Sequence, residues 1–251
     1  MRALIYVKRM EISMNCTDSA CWPRNYESYY RKTRRKVSMQ KLIAGIHRFR
    51  KQYWSENREL FERLADQGQS PEALFITCCD SRVDPVVITH ARPGDLFIVK
   101  NMGNFVPPYS ENPLEGTGVA AAVEYAVEHL RVRDIIVCGH SDCGAMKALY
   151  MDRSHYARTP HIAEWLKYGG RTMRVVTASY PELSREERLE ITSEENVLVQ
   201  MEHLRTYPVV LTAAKEGRLH VHAWYFDIGT GRVYAYSPEK EQYEPIRSGE
   251  R

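Results

Sequence analysis

The sequence predicts an α/β protein in which a mainly parallel central sheet is flanked by helices and preceded by an N-terminal helical arm. Two observations support this prediction. Three short apolar segments with the composition of buried strands end near residues 78, 100 and 140. Stretches of helical periodicity separate them, and strands that alternate with helices are typical of parallel sheets, because each crossover needs a long connection.

The N-terminal part of the chain differs from the rest. Residues 1–38 hold two cysteines, a cluster of tyrosines and a basic run at 31–36, but no amphipathic period. We expect this stretch to be a flexible arm, and residues 39–251 to form one domain. From Met39 onward, apolar residues such as Leu42, Ile46 and Phe49 recur at helical spacing, which predicts one or two amphipathic helices.

The later elements are predicted in the same way. The alanine-rich stretch 115–132 predicts a helix, and residues 143–151 predict another. A further helix is expected from Thr192, which could cap it while Glu195 closes a capping box. Residues 220–237 have the pattern of a strand, a glycine-containing turn and a returning strand.

Composition limits the class of protein. With 251 residues, 43% hydrophobic and 27% charged, the chain is ordinary for a globular protein, and its net charge of +3 is too small to indicate a nucleic-acid partner. No apolar stretch approaches the roughly 20 residues of a bilayer-spanning helix. The six cysteines are spaced unlike a disulfide framework, so we expect a cytoplasmic protein with free thiols and no membrane partner.

Three potential metal ligands follow the predicted strands. Cys78 closes the first strand, His140 closes the third, and Cys143 comes three residues later at the start of a helix. The carboxyl ends of parallel strands meet at one edge of a sheet, so these side chains can converge. Two thiolates and an imidazole suit zinc, and three protein ligands leave one position open, as catalytic zinc sites require. The remaining thiols of these strands, Cys79 and Cys138, are expected to be buried as small hydrophobic residues.

An acid and a base follow Cys78 closely. Asp80 could be a fourth metal ligand, or could accept a hydrogen bond from a metal-bound hydroxide. Arg82 could hold that carboxylate through a charge-assisted pair and lower its pKa. The alternative interpretation is an ion pair that only stabilises the end of the loop.

These residues, "CCDSRV" at 78–83 and "GHSDCGAM" at 139–146, resemble the two zinc signatures of the β-class carbonic anhydrases. The resemblance extends over "PGDLFIVKNMGN", "EENVLVQMEHL" and "HVHAWYFD", and is greatest to cyanobacterial, plant-like members. It covers the chain from Met39 to about Tyr243. It implies that residues 39–251 form a catalytic domain for the reversible hydration of carbon dioxide to bicarbonate and a proton, a reaction of carbon utilization.

The resemblance also implies roles for individual residues. Zn²⁺ would be held by Cys78, His140 and Cys143, with the Asp80–Arg82 dyad orienting a zinc-bound hydroxide. A small pocket for carbon dioxide and bicarbonate would be formed by four residues matched through motif spacing: Gln69, Phe97, Tyr125 and Gly144. Plain core packing is the alternative interpretation of Phe97 and Tyr125. Met102, where the family usually has a small residue, could narrow the pocket.

The sequence also allows alternatives to carbon dioxide hydration and suggests possible partners. The same ligands could serve a zinc hydrolase of carbonyl sulfide or carbon disulfide, or a non-catalytic zinc-stabilised scaffold protein. A zinc alcohol dehydrogenase is disfavoured, because no glycine-rich dinucleotide motif follows any predicted strand. Family members use N-terminal helices to embrace a second subunit, which implies a homodimer or a tetramer of dimers. Carboxysome components are conceivable partners, although the long C-terminal extension of carboxysomal members is missing from the sequence.

Overall fold

The computed structural model describes residues 38–112 and 117–247. Apart from Ser38, the predicted N-terminal arm at 1–38 lies outside the described residues. The chain divides into two compact units, of which one ends at Arg58 and the other begins at Glu59.

The described part of the first unit is helical, as the spacing of its apolar residues predicts. Helix α1 (Met39–Arg48) begins at Ser38, whose hydroxyl accepts a hydrogen bond from the Lys41 backbone N–H. The helical path continues through a single π-helical segment, Phe49–Tyr53, into α2 (Trp54–Glu56). Most of the apolar face of α1 stays exposed in the isolated chain, with Ile46 at 66%.

A six-stranded sheet in the order β2-β1-β3-β4-β5-β6 organises the second unit. Its strands, numbered along the chain, are β1 (Ala73–Cys78), β2 (Leu96–Asn101), β3 (Asp134–His140), β4 (His220–Asp227), β5 (Arg232–Ser237) and β6 (Gln242–Pro245). Strands β1 to β4 are parallel to one another, and β5 and β6 are added antiparallel. This arrangement confirms the predicted fold class, a mainly parallel sheet flanked by helices, and the predicted β4–β5 hairpin.

Helices connect and cover these strands. In chain order they are α3 (Arg58–Gln67), α4 (Pro85–Thr89), α5 (Gly118–Glu124), α6 (Gly144–Leu149), α7 (Pro160–Trp165), α8 (Gly170–Ser179), α9 (Arg185–Leu204) and α10 (Pro208–Lys215). Helix α5 passes directly into a π-helical segment, Tyr125–His129, and short 3₁₀ turns lie at Met102–Asn104, Arg153–Tyr156 and Leu166–Gly169.

The main core lies between one face of the sheet and these helices, and a smaller buried cluster that includes Phe75 and Cys138 lies on the other face. Every residue of β1 is buried, as expected for a parallel strand that is covered on both faces. Helix α9 crosses close to β3 at Gly139, where a Cβ atom would come within 2.6 Å of Val197 and 3.0 Å of the Ser193 carbonyl oxygen. Only glycine permits this approach, which sets the position of the carboxyl end of β3 against α9.

The start of α9 differs from the prediction. The helix begins at Arg185, where Ser184 and Glu187 form a capping box. The capping box predicted at Thr192 and Glu195 is therefore wrong. Thr192 lies inside the helix, where its hydroxyl donates to the Arg188 carbonyl oxygen at 2.6 Å. The earlier Ser-x-x-Glu has the same chemistry, and the helical stretch continues from it without a break.

Among the described residues, no helix is both long and apolar enough to cross a membrane.

Candidate metal centre

Three buried ligand atoms meet at the carboxyl edge of the parallel sheet. Cys78 ends β1, His140 ends the adjacent strand β3, and Cys143 directly precedes α6. The two sulfur atoms are 4.0 Å apart. Each of the three residues offers one ligand atom, and these atoms all lie within 4.8 Å of one another. The structure thus brings together the three side chains that the sequence predicts as metal ligands.

The imidazole of His140 is oriented for metal binding. Its Nδ1 lies 2.8 Å from the carbonyl oxygen of Ser141. Because a carbonyl oxygen can only accept, Nδ1 carries the proton, and Nε2 is left with a free lone pair. Within the part of the chain that the structure describes, the buried Nε2 has no hydrogen-bond partner. A buried acceptor without a partner is costly unless a ligand satisfies it.

Of the two thiols, one loses its proton easily and the other does not. The hydrogen bond with the Cys143 thiol lowers the pKa of Cys78, and contacts with His140 and the Gly103 N–H lower it further. The neighbouring Cys78 thiolate and burial raise the pKa of Cys143, so the second proton is held tightly. A bound cation would compensate both charges.

The geometry of these atoms fits a zinc ion. Tetrahedral coordination with zinc–sulfur bonds of about 2.3 Å separates two sulfur atoms by about 3.8 Å, close to the 4.0 Å observed. The donor set, two thiols and an imidazole with a free lone pair, is also one that zinc prefers. No fourth histidine, cysteine or carboxylate of the described residues belongs to the group, so one position would remain for a small molecule.

Arg82 holds the carboxylate of Asp80 beside this group. The guanidinium donates from Nε to Oδ1 at 3.0 Å and from Nη2 to Oδ2 at 2.8 Å, and the Arg82 backbone N–H donates to Oδ1 at 2.9 Å. These bonds lower the pKa of Asp80 to about 2. Asp80 is therefore a carboxylate at neutral pH, and both of its oxygen atoms are engaged by Arg82.

Asp142 connects the Asp80–Arg82 pair to the segment that holds His140 and Cys143. Arg82 Nη1 donates to Asp142 Oδ2 at 2.9 Å, and Lys147 forms an ion pair with the same carboxylate. The arginine thus links the loop after β1 to the loop that joins His140 to Cys143. Sequence reasoning missed Asp142, although its place between two predicted ligands was a usable signal.

A second layer of hydrogen bonds supports Cys78. The Gly103 backbone N–H donates to the Cys78 sulfur at 3.4 Å, and the Gly103 carbonyl oxygen accepts from Asn196 Nδ2 at 3.0 Å. Thr172 and Gln200 both donate to the Asn196 Oδ1 atom, at 3.1 and 3.0 Å. Gly103 has φ 81°, and a Cβ there would approach the Ala145 Cβ to 2.8 Å. Sequence reasoning missed Gly103 and Asn196 as contributors to the site.

Comparison with known proteins places this arrangement in a family. The sequence profile described as carbonic anhydrase matches residues 73–233. A carbonic anhydrase of Synechocystis sp. is 44% identical over 198 residues, which are 79% of this chain and 71% of that protein. The solved structure of the β-carbonic anhydrase CcaA superposes with a TM-score of 0.79 at 42% identity, covering 84% of this chain and 93% of that one. The chain belongs to the β-carbonic anhydrases.

A second structural relative gives the assembly state of other members. One of two tetrameric β-carbonic anhydrases from the ascomycete Sordaria macrospora superposes with a TM-score of 0.68 at 30% identity, covering 78% of this chain and 95% of that one.

The four residues predicted to form a substrate pocket lie on different elements of this β-carbonic anhydrase. The rings of Phe97 and Tyr125 lie 5.9 Å apart, and Tyr125 is 43% exposed. Gly144 is the first residue of α6, directly after Cys143. Gln69 lies exposed in the loop between α3 and β1. Phe97 also packs against the main core, in line with the alternative interpretation, so the pocket roles of these four residues stay predictions.

The sequence also makes predictions for Met102, Cys138 and Cys79. Met102 packs among the residues around Cys78 and Cys143, and its carbonyl oxygen accepts from Trp165 Nε1 at 2.8 Å. Cys138 is fully buried, as predicted. Cys79 is exposed, so its predicted burial is wrong: it follows the last residue of β1 and points away from the core.

Proposed function

We propose that this chain catalyses the reversible hydration of carbon dioxide to bicarbonate and a proton, with zinc held by Cys78, His140 and Cys143. One observation carries the proposal: three buried donors, one with an unsatisfied lone pair, lie beside a carboxylate that Arg82 keeps ionised and oriented. A structural ion pair would not need a neighbouring open coordination position, and a structural zinc site would have four protein ligands. Membership of the β-carbonic anhydrases supports the same chemistry.

The protein side chains would position and polarise the reactants. A zinc ion would supply Lewis-acid activation of a water molecule, a role for which carbonic anhydrases are themselves the standard example. Because Asp80 is ionised, it can only accept a hydrogen bond, so it would orient the attacking water with a lone pair toward carbon dioxide. Gln69 would donate to a developing carboxylate oxygen, and Phe97, Tyr125 and Gly144 would shape the pocket.

The dyad depends on Arg82 remaining in place. While Arg82 engages both oxygen atoms of Asp80, the carboxylate is held outside the group of three donors. The Arg82–Asp142 bond ties that position to the loop carrying Cys143. We propose that these contacts keep the fourth position available to water.

Assembly and location belong to the same proposal. The exposed apolar face of α1, which includes Leu42 and Ile46, would be covered by a second copy in a homodimer or a tetramer of dimers. The tetrameric relatives from Sordaria macrospora support this expectation. We place the protein in the cytoplasm with free thiols, and residues 39–251 as its catalytic domain.

Stopped-flow hydration of carbon dioxide with a pH indicator tests the proposed reaction. We expect rapid turnover by the wild-type protein and only the uncatalysed rate with Cys143→Ala. Cys138→Ala is the matched control, because it also removes a buried thiol from the end of β3 but no proposed ligand. If the wild-type protein hydrated carbon dioxide only at the uncatalysed rate, the proposal would be overturned. If it turned over carbonyl sulfide or carbon disulfide faster than carbon dioxide, that compound would be its substrate instead. Elemental analysis should find about one zinc per chain.

A further inference from the structure

A cavity lies among the helices that follow Cys143 along the chain. Its volume is about 340 Å³, within the range of small-molecule sites. Its walls come from the end of α6, the turn at Arg153–Tyr156, the end of α7 and the start of α8. None of the proposed metal ligands, dyad residues or pocket residues lines it.

The floor of this cavity is apolar. It is formed by Leu149, Met151, Leu166 and Met173, of which Leu166 is buried in the core beneath. Tyr156 also lines the cavity, but its hydroxyl donates to the Ala148 carbonyl oxygen at 2.9 Å, which leaves the ring as an apolar wall. An aliphatic or aromatic group would therefore be desolvated there at little cost in lost hydrogen bonds.

The rim of the cavity is cationic. Arg153, Lys167 and Arg174 line it, and no aspartate or glutamate does. Lys167 pairs with Glu164, which lies outside the lining. Arg153 and Arg174 have no carboxylate partner among the residues that the structure describes. Two unpaired guanidinium groups above an apolar floor are suited to binding an oxyanion in the bidentate manner that arginine favours.

The surrounding sequence strengthens the positive field. Residues 144–179 contain six lysines and arginines against two acids, in a chain whose total net charge is only +3. Lys147, Lys167 and Arg171 are in ion pairs, which leaves Arg153, Arg158 and Arg174 without a carboxylate partner among the described residues. A local excess of one sign attracts counter-ions toward a concave surface.

We propose that this cavity binds a small organic anion that has an apolar body and an oxyanion head, namely a phosphate monoester or a carboxylate. The apolar body occupies the floor at Leu149 and Leu166, and the oxyanion head lies between Arg153 and Arg174. The site is separate from the metal centre and does not depend on the proposed hydration reaction.

Isothermal titration of the full-length, metal-loaded protein with phenyl phosphate tests this proposal. We expect saturable binding that is at least about tenfold tighter than that of inorganic phosphate or of benzyl alcohol, which carry only the head or only the body. Titration with phenylacetate in parallel distinguishes a phosphate ester from a carboxylate as the preferred head.

Variants locate the binding. Arg153→Gln with Arg174→Gln should weaken phenyl phosphate binding at least about tenfold and leave carbon dioxide hydration unchanged. Arg158→Gln, an exposed arginine of the same segment that does not line the cavity, is the matched control and should bind like wild type. Unchanged affinity in the double variant would place the anion elsewhere and overturn the proposal. Equal affinities for phenyl phosphate and inorganic phosphate would also overturn it, since the floor would then contribute nothing.

Discussion

The carboxyl and amino edges of the parallel sheet carry similar side chains in different states. At the carboxyl edge, His140 is fully buried and its Nε2 has no hydrogen-bond partner among the described residues. Toward the amino edge, His222 Nε2 lies 2.7 Å from Asp134 Oδ1, and both side chains are more than a third exposed. A cavity of about 560 Å³ is open beside this second pair.

The difference shows what distinguishes a ligand from a surface residue. At the amino edge, His222 and Asp134 bond to each other and contact solvent, so neither requires an added ion. At the carboxyl edge, one buried lone pair lacks a partner and the pKa of Cys78 is lowered, so the group holds a negative charge that a cation would compensate. Of the described residues, only Cys78, His140 and Cys143 form a group with metal-binding spacing, although histidines and acids line the other cavity too.

Replacing one histidine at each edge should give the largest difference in zinc content and in hydration rate between two variants. We expect His140→Ala to lose stoichiometric zinc and to hydrate carbon dioxide at the uncatalysed rate, because two thiolates alone cannot complete the site. His222→Ala should keep both properties, since it removes only a half-exposed hydrogen bond to Asp134. Elemental analysis and stopped-flow rates measure both. Loss of metal from His222→Ala would mean that the amino edge supports the centre.

The Asp80–Arg82 dyad should matter for rate without holding metal. Asp80→Asn should keep its zinc, because Asp80 lies outside the donor group, but should lower carbon dioxide hydration by about 10- to 100-fold. Asp142→Asn is the matched control: it removes the other acceptor of Arg82 and should have a smaller effect. If both variants lost activity equally, the role proposed for Asp80 would reduce to holding Arg82.

Glu194 extends the comparison to a partly buried carboxylate that lies near other acids. Burial, with smaller contributions from the charges of Glu190 and Glu195, raises its pKa from 4.5 to about 7. A raised pKa favours the protonated folded state, so the cost of ionising Glu194 is absent below about pH 4.5, grows as the pH rises, and is complete above about 7. Glu194→Gln, which stays neutral, should therefore be more stable than wild type by about 3 kcal/mol at pH 8 and by little at pH 4.

Urea unfolding at several pH values measures that difference. Glu62→Gln, at an exposed position of α3, is the control and should track wild type. If the stability gained by Glu194→Gln did not change with pH, the cost of ionising Glu194 would not be its cause.

Asn196 should give the smallest of these effects. Asn196→Ala leaves the buried Gly103 carbonyl oxygen without its donor, which we expect to cost about 2 kcal/mol of unfolding free energy. Zinc should also be removed more readily by a chelator, because the Gly103 N–H that donates to Cys78 is held less firmly. Asn57→Ala removes the same type of bond, Nδ2 to a carbonyl oxygen, at an exposed site and should cost less than 1 kcal/mol. Equal losses in the two variants would contradict this reasoning.

Prediction from sequence succeeded where a feature is local. Strand β3 is apolar from Ile135 to Cys138, so its end near His140 could be predicted from composition. Cys143 could be placed at a helix start because the predicted helical stretch 143–151 begins with it, three residues after His140. The cap of α9 was missed by eight residues, because two Ser/Thr-x-x-Glu patterns lie in the same helical stretch and the later one was taken as the cap.

The sequence by itself determined strands β1 to β5 in their order along the chain and the chemical identity of the three donors, because periodicity and ligand preference are properties of short segments. Only the tertiary structure decided which groups support those donors. Asn196 reaches the Gly103 carbonyl oxygen across 93 residues, and Arg82 reaches Asp142 across 60. Such bonds depend on how α9 crosses β3 and how the loops after β1 and β3 meet, and packing geometry of that kind leaves no period or spacing in the chain.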